Sequence, residues 1–223
     1  SAAVDARVVG IIITGNGRGF CAGLDAQVLA SVTAGDTDVT SQRPTDDDLP
    51  GIFSYLLEVP KPVIAAINGV AAGGGLILAL MSDLRIASKD ASFTTIFLKR
   101  GLISEHGSSW LLPRLIGASR AMEMYLASQP TSAQAALEMG LVNHVVEDDA
   151  MHQHAMETAV RLAKGPTAAY ARVKALFDSS WEHDLATQLD LETAAFADIA
   201  LTDDFQEGIK AFTERRQARF QVK

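Results

Sequence analysis

Apolar runs in the first half of the chain are short, and turn-forming residues separate them. Residues 8–13 are continuously apolar and mostly β-branched, and a glycine-rich segment follows them, which predicts a fully buried strand and a turn. Residues 63–67 predict a second buried strand after a proline pair. Two shorter strands are predicted at 84–87 and 92–94, separated by a lysine–aspartate turn.

The second half of the chain has helical periodicity, and several of its segments begin with a serine or threonine cap. Strands that alternate with helices and are followed by a helical tail predict an α/β core with a C-terminal helical region. We place these two parts at 1–145 and 146–223. A mobile surface loop is expected at 31–50. Helices are predicted at 49–59, 75–81, 108–116, 119–127, 132–139, 151–163, 166–179, 183–199 and 202–220.

Composition narrows the class of protein. The chain has 223 residues, enough for one large domain with a sizeable core. Its net charge of −8 argues against a nucleic-acid surface. Cys21 is its single cysteine, which excludes an intrachain disulfide framework and fits a reducing cytoplasm. Neither a signal peptide nor a long uncharged apolar span is found, so we expect a cytoplasmic protein without a membrane partner.

Two glycine-bearing segments, 20–25 and 68–75, carry the chemistry. Each lies where a strand-like run gives way to a helix, so each leaves free backbone N–H groups that point into a cleft. Two such turns side by side can direct two donors at one oxygen, which is an oxyanion hole for an enolate or a tetrahedral intermediate. The alternative is that glycines 73–75 only permit close packing of a helix on a strand.

These segments resemble those of the crotonase (enoyl-CoA hydratase/isomerase) superfamily, and the resemblance extends from Val8 to Phe220. It implies a crotonase-like spiral of ββα turns whose C-terminal helices support a homotrimer or a dimer of trimers. Such chains usually carry several tens of residues before the first strand seen here, and that segment is apparently missing. The implied substrate is an acyl-CoA thioester, with coenzyme A as part of the substrate, no permanently bound cofactor and no metal.

The resemblance assigns the two hole donors to the backbone N–H groups of Leu24 and Gly74. Gly74 suits this role because it begins an apolar helix and has no Cβ to obstruct a thioester oxygen. Hydratases of this family carry two glutamates at positions that are Ile77 and Phe97 here. Hydration by the two-glutamate mechanism is therefore not expected.

One carboxylate remains in the right part of the chain. By resemblance, Glu105 falls where some enoyl-CoA isomerases carry their sole catalytic glutamate, which suits a proton shuttle between C2 and C4. We expect it to be buried. The alternative is a carboxylate that only interacts with the start of the helix at 108–116. His106 could relay a proton or orient Glu105, or be purely structural. The expected apolar surroundings are Ile77, Phe97, Leu102 and Trp110.

Coenzyme A in this family runs along the segment that holds Ala22 and Leu24. A negatively charged chain can still bind it, since a few local positive groups suffice. Lys210 and Arg216 on the last helix match the family's basic tail, although a basic run on a terminal helix is usually only solvated. Arg18 is a further candidate for a phosphate contact. The histidines show no metal-ligand spacing, and His152 and His154 are placed on different helix faces.

Three hypotheses about the function remain open, and we prefer isomerisation with Glu105 as acid and base. A hydratase-type lyase with altered catalytic residues is the close variant. The third hypothesis is a protein of a different functional class, a non-catalytic scaffold that binds acyl-CoA. A serine hydrolase is disfavoured because Gly107-Ser108-Ser109-Trp110 lacks the closing glycine of a nucleophile elbow. A dinucleotide site at 15–19 is disfavoured because the third glycine comes one residue early and no long helix follows.

Overall fold

A computed structural model describes residues 2–25, 27, 30 and 51–221. Eight strands and eight α-helices lie within them. The strands are β1 (Ile11–Thr14), β2 (Gly19–Cys21), β3 (Val63–Ile67), β4 (Val70–Ala72), β5 (Leu84–Ser88), β6 (Ser92–Thr94), β7 (Thr131–Ser132) and β8 (His144–Val146). The helices are α1 (Gly74–Leu80), α2 (Ser108–Ile116), α3 (Ala118–Ala127), α4 (Ala133–Glu138), α5 (Met151–Ala163), α6 (Thr167–Ser179), α7 (Leu185–Ala200) and α8 (Asp203–Glu214).

The strands form two four-stranded sheets, ordered β1-β3-β5-β8 and β2-β4-β6-β7. Strands β1 to β6 alternate between the two sheets, so each ββ pair adds one strand to each sheet. In the first sheet, β5 is parallel to both β3 and β8. In the second sheet, β4 is parallel to both β2 and β6, whereas β6 and β7 are antiparallel. This alternation is the spiral of ββα turns that the sequence predicts.

The larger of two compact units comprises residues 12–57 and 64–155. It contains α1 to α4, and its core is built on residues 64–67 of β3, which are all buried. Helix α1 adds Leu76 and Ile77, which are 1% and 0% exposed. The buried guanidinium of Arg85 donates to the carbonyl oxygens of Leu141 and Ser82 over 2.8 and 2.5 Å. This contact ties the segment after α4 to the end of α1.

The smaller unit comprises residues 2–11, 58–63 and 156–221 and contains α6 to α8. Phe196 and Phe205 meet edge to face, with ring centroids 5.8 Å apart. Arg172 pairs with Asp198 over 2.7 Å. The predicted boundary between 1–145 and 146–223 remains a prediction. No helix within the described residues is both long and apolar enough to cross a membrane.

The helices from Ser108 onward are confirmed, with shifts of one or two residues at their ends. The last helix is shorter than predicted and ends at Glu214, because Arg215 takes a left-handed φ of 53°. The prediction of a helix at 49–59 is wrong for its described part, which holds one short 3-10 helix at Ser54–Leu56. Residues 49 and 50 and the predicted loop at 31–50 lie outside the described residues.

Strand β1 is half-buried, where a fully buried strand was predicted. Its prediction at 8–13 also begins three residues early, since residues 8–10 are not part of the strand. Strands β2, β4, β7 and β8 are absent from the prediction. They span only two or three residues, and β2 and β4 lie inside the glycine segments, where no periodicity marks a strand.

Candidate active site

The two glycine segments meet at one edge of the second sheet. Because β2 and β4 are parallel neighbours, their carboxyl ends lie side by side. A Cβ added to Gly23 would lie 2.9 Å from the Ala72 carbonyl oxygen and 3.2 Å from the Gly74 nitrogen. Gly23 also has a φ of 89°, so both its conformation and its neighbours require a glycine. The two backbone turns are therefore in contact.

The backbone N–H groups of Leu24 and Gly74 at this edge have no acceptor among the described residues. Gly73 donates its N–H to the Thr94 carbonyl oxygen over 3.0 Å. Gly74 is the first residue of α1, and neither its N–H nor that of Leu24 donates a hydrogen bond within the described part of the chain. Two free donors on adjacent turns are a suitable arrangement for binding one anionic oxygen.

The alternative explanation of the glycine triplet, that it permits close packing of a helix on a strand, holds for Gly75. A Cβ added there would lie 1.9 Å from the Cys21 carbonyl oxygen and 2.8 Å from the Cys21 Cβ. Gly74 differs, because its added Cβ would have only ordinary contacts at 3.6 Å, with Gly23 Cα and Ile52 Cδ1. Gly75 thus serves the packing of α1 on β2, whereas a Cβ at Gly74 would meet no steric conflict with the described residues.

Ile77 and Phe97, at which the resemblance places the two hydratase glutamates, belong to the apolar core. Ile77 lies in α1 with 0% exposure, and Phe97 follows β6 with 6% exposure. Neither side chain can accept a proton. Carboxylate chemistry at this site therefore depends on other residues.

The backbone of Glu105 is held by the start of α2. Both the N–H and the hydroxyl of Ser108 donate to the Glu105 carbonyl oxygen, over 3.1 and 2.7 Å. The Ser104 hydroxyl lies 2.9 Å from the Ser108 hydroxyl and donates to the Tyr125 hydroxyl oxygen over 2.8 Å. The loop that carries Glu105 is therefore fixed to α2 and α3.

The prediction that Glu105 is buried is wrong. Its side chain is 38% exposed, and the His106 Nε2 lies 3.9 Å from its carboxylate. His106 has a φ of 52°, which turns the chain sharply before α2. Side chains that were expected to cover Glu105 pack elsewhere. Ile77 and Phe97 are buried in the core, and the Trp110 ring stacks against the Arg114 guanidinium, which lies 3.9 Å from the ring centroid.

Residues 51 and 52 connect the Glu105 loop to the glycine turns. The Cβ position of Gly51 lies 3.8 Å from the Cα and Cβ of His106, and Ile52 Cδ1 lies 3.6 Å from the Cβ position of Gly74. At the other end of α1, the Cβ position of Gly107 lies 3.2 Å from Met81 Cε. Residues 51 and 52 thus link His106 to the start of α1 within the larger unit. Sequence reasoning missed Ile52 because it lay within a predicted helix, which a φ of 129° at Gly51 interrupts.

The candidates for coenzyme A contacts fall into two groups. Ala22 and Arg18 lie in the larger unit and are exposed, and the Arg18 side chain has no partner within the described residues. Lys210 and Arg216 belong to the smaller unit. Lys210 is exposed, whereas Arg216 pairs with both carboxylate oxygens of Glu207 over 2.6 and 2.8 Å and with Glu214 over 2.6 Å. Arg216 would have to leave these partners to bind a phosphate. The described residues contain no group of three side chains able to hold a metal ion.

A model of the enoyl-CoA hydratase/isomerase family matches residues 1–223. The chain belongs to this family. It is 38% identical over 217 residues to the 1,2-epoxyphenylacetyl-CoA isomerase of Escherichia coli, covering 94% of this chain and 80% of that protein. It is 33% identical over 216 residues to the mitochondrial enoyl-CoA hydratase of Pongo abelii, covering 97% and 72%.

A crystal structure of an enoyl-CoA hydratase from a Polaromonas species shares the fold, with a TM-score of 0.89 and 30% identity over 99% of this chain and 85% of that one. The crotonase-like fold expected from the glycine segments is confirmed. The family acts on CoA thioesters, which is consistent with coenzyme A as part of the substrate. The relatives include proteins named isomerase and proteins named hydratase, so family membership leaves the reaction open.

Proposed function

We propose that the protein is an enoyl-CoA isomerase that moves the double bond of an acyl-CoA thioester through a dienolate. One observation carries the proposal: the N–H groups of Leu24 and Gly74 are free within the described residues and lie on adjacent turns, while apolar side chains, Ile77 and Phe97, stand at the two hydratase glutamate positions. Glu105, in the same unit, is the carboxylate that we assign to the reaction. One carboxylate is sufficient to take a proton from one carbon and return it to another.

In the proposed reaction, the thioester oxygen of a 3-enoyl-CoA accepts hydrogen bonds from the N–H groups of Leu24 and Gly74. The Glu105 carboxylate removes a proton from C2, and the electron pair spreads over a dienolate whose negative charge rests on that oxygen. The carboxyl group then returns the proton to C4, which leaves a double bond between C2 and C3. Each donor contributes about 3–4 kcal/mol of transition-state stabilisation.

The half-exposed Glu105 is compatible with this role, because a bound acyl chain would displace solvent from it. His106, 3.9 Å away, would orient the carboxylate. The pantetheine and adenine would run along Ala22 and Leu24, and Arg18 would contact a phosphate. Lys210 and Arg216 are weaker candidates for phosphate contacts, Arg216 because its guanidinium already pairs with two carboxylates. We expect the active form to be a cytoplasmic homotrimer or a dimer of trimers.

The second candidate is a hydratase-type lyase with altered catalytic residues, which the hydratase relatives favour. It would need a group other than residues 77 and 97 to activate water. A binding scaffold without catalysis is the third, since both hydratase glutamates are replaced. Glu105 separates the isomerase from the binding scaffold, because only a catalyst needs an acid and base. In the lyase, Glu105 or His106 would assist a different reaction, so conversion of a 3-enoyl-CoA or a 2-enoyl-CoA separates the lyase from the isomerase.

The substitution Glu105→Gln tests the proposal, since it keeps the shape of the side chain and removes the base. We expect turnover of a 3-enoyl-CoA to fall by about 10²–10⁴-fold, the usual contribution of a positioned acid or base. The affinity for a saturated acyl-CoA should stay nearly unchanged. Glu123→Gln on the exposed face of α3 is the matched control and should leave both quantities unaltered. Full turnover by the Glu105→Gln variant would contradict the assigned role.

A further inference from the structure

Residues 95–97 form a tight turn with a strained backbone. The Phe97 N–H donates to the Thr95 carbonyl oxygen over 2.6 Å, and Ile96 between them has a φ of 53°. A three-residue turn with positive φ at its centre is a rare and strained γ-turn. A β-branched side chain raises the strain further, because the left-handed region brings its Cβ close to the backbone.

The surrounding structure maintains this strain from both sides. Thr95 is 1% exposed, and its hydroxyl donates to the Met124 carbonyl oxygen over 3.0 Å. Phe97 is buried in the core with 6% exposure. Ile96 itself is only partly buried. Burial of its own side chain is therefore a weak reason for the conformation, and strained residues of this kind concentrate at functional sites.

The strained side chain lies against the glycine that precedes the free donor. Ile96 Cγ2 is 3.1 Å from the position of a Cβ added to Gly73, and the Gly73 N–H is bound by Thr94. Gly73 has φ and ψ of 53° and −117°, and its ψ sets the direction of the following peptide, which carries the Gly74 N–H. The Thr94 carbonyl oxygen therefore fixes the Gly73 N–H, and the Ile96 side chain limits the space on the side of Gly73 where a Cβ would lie.

We infer that Ile96 is a positioning residue for the Gly74 N–H. Its Cγ2 restricts the rotation of Gly73, so that the Gly74 donor is directed at the substrate oxygen before the substrate binds. Preorganised donors stabilise a developing negative charge without having to reorganise during the reaction. This inference rests on the oxyanion hole of the proposed function, although it does not depend on whether isomerisation follows.

The test measures enolate stabilisation directly, using 3-oxobutanoyl-CoA as the probe. Loss of its C2 proton to solvent gives an enolate with a near-ultraviolet absorbance. The ratio of enolate to keto form on the protein therefore measures how strongly the oxyanion hole stabilises the enolate. We expect Ile96→Gly to lower this ratio about tenfold or more, since small displacements of catalytic groups have effects of this order. Ile96→Val retains Cγ2 and should stay within about twofold of the wild-type ratio.

Two controls separate positioning from a general effect on folding. The dissociation constant of butanoyl-CoA should change by less than about threefold in Ile96→Gly, because that ligand develops no enolate charge. Ser128 also has a left-handed φ, 47°, so Ser128→Gly matches the backbone change at a residue outside the site and should leave the ratio unaltered. An unchanged ratio in Ile96→Gly would overturn the inference, as would an equal loss in Ile96→Val or Ser128→Gly.

Failure of the proposed function has a different signature. If the wild-type protein stabilises the enolate and Ile96→Gly does not, Ile96 positions the donor even where no 3-enoyl-CoA is converted. If the wild-type protein binds 3-oxobutanoyl-CoA without stabilising its enolate, or does not bind it, the hole is absent and the inference fails.

Discussion

The backbones of Gly23 and Gly74 lie against each other, so that a Cβ on Gly23 would stand 3.2 Å from the Gly74 nitrogen. This approach results from the parallel pairing of β2 with β4, because each glycine turn follows one of these strands. It places the N–H groups of Leu24 and Gly74 on neighbouring turns. The proposed chemistry depends on this pair of turns.

Neighbouring glycines of the triplet should respond differently to alanine. Gly75→Ala places a methyl group 1.9 Å from the Cys21 carbonyl oxygen, so the free energy of unfolding should fall by about 1–3 kcal/mol or more. Gly74→Ala meets only contacts at 3.6 Å and should fold normally. Its methyl group enters the space beside the donor, so kcat/KM should fall by about tenfold or more. Thermal unfolding and turnover of both variants check this, and a fully active Gly74→Ala protein would refute the role of that space.

Arg18→Ala should weaken binding of the CoA moiety. An exposed guanidinium near the proposed thioester site is screened by salt, so we expect a loss of affinity of about threefold to tenfold at low salt and a smaller loss at high salt. Calorimetric titration with butanoyl-CoA at two salt concentrations measures this. Arg120→Ala on α3 removes the same charge elsewhere in the unit. Equal losses in both variants would indicate a long-range charge effect and no phosphate contact.

Glu207 should make stability depend on acid pH. Its hydrogen bond from Arg216, followed by that from the Arg219 N–H, lowers the pKa of Glu207 from 4.5 to about 2. A lowered folded-state pKa stabilises the protein above pH 4.5, and this contribution is lost as the pH falls from 4.5 towards 2. The melting temperature of Glu207→Gln should therefore lie below that of the wild type at neutral pH, and the difference should shrink across this window. A constant difference would contradict the assignment.

Much of the fold was predictable because long periodic segments determine it. The run at 63–67 is a five-residue buried strand, and helices such as α2 and α5 have the predicted bounds. The short strands β2 and β4 could not be predicted, since three residues contain too few positions to show a period. They form because parallel neighbours pair with them in the folded chain.

Within the site, the candidate residues could be named from the sequence, whereas their exposure and backbone conformation could not. The resemblance to the family assigned roles to Leu24, Gly74 and Glu105 from their positions in its motifs. The exposure of Glu105 depends on the turn at His106, whose left-handed φ is unusual for a residue other than glycine. The γ-turn at Ile96 could not be predicted either, because threonine, isoleucine and phenylalanine are all residues that favour strands.

Isomerisation of a 3-enoyl-CoA can be followed directly by its absorbance. A 3-enoyl-CoA and a 2-enoyl-CoA are each mixed with the protein while absorbance at the conjugated enoyl-thioester band is followed. The account predicts a gain of absorbance from the 3-enoyl substrate, which Glu105→Gln abolishes. Loss of absorbance from the 2-enoyl substrate, with no gain from the 3-enoyl substrate, would show hydration without acidic residues at 77 and 97 and would contradict the account.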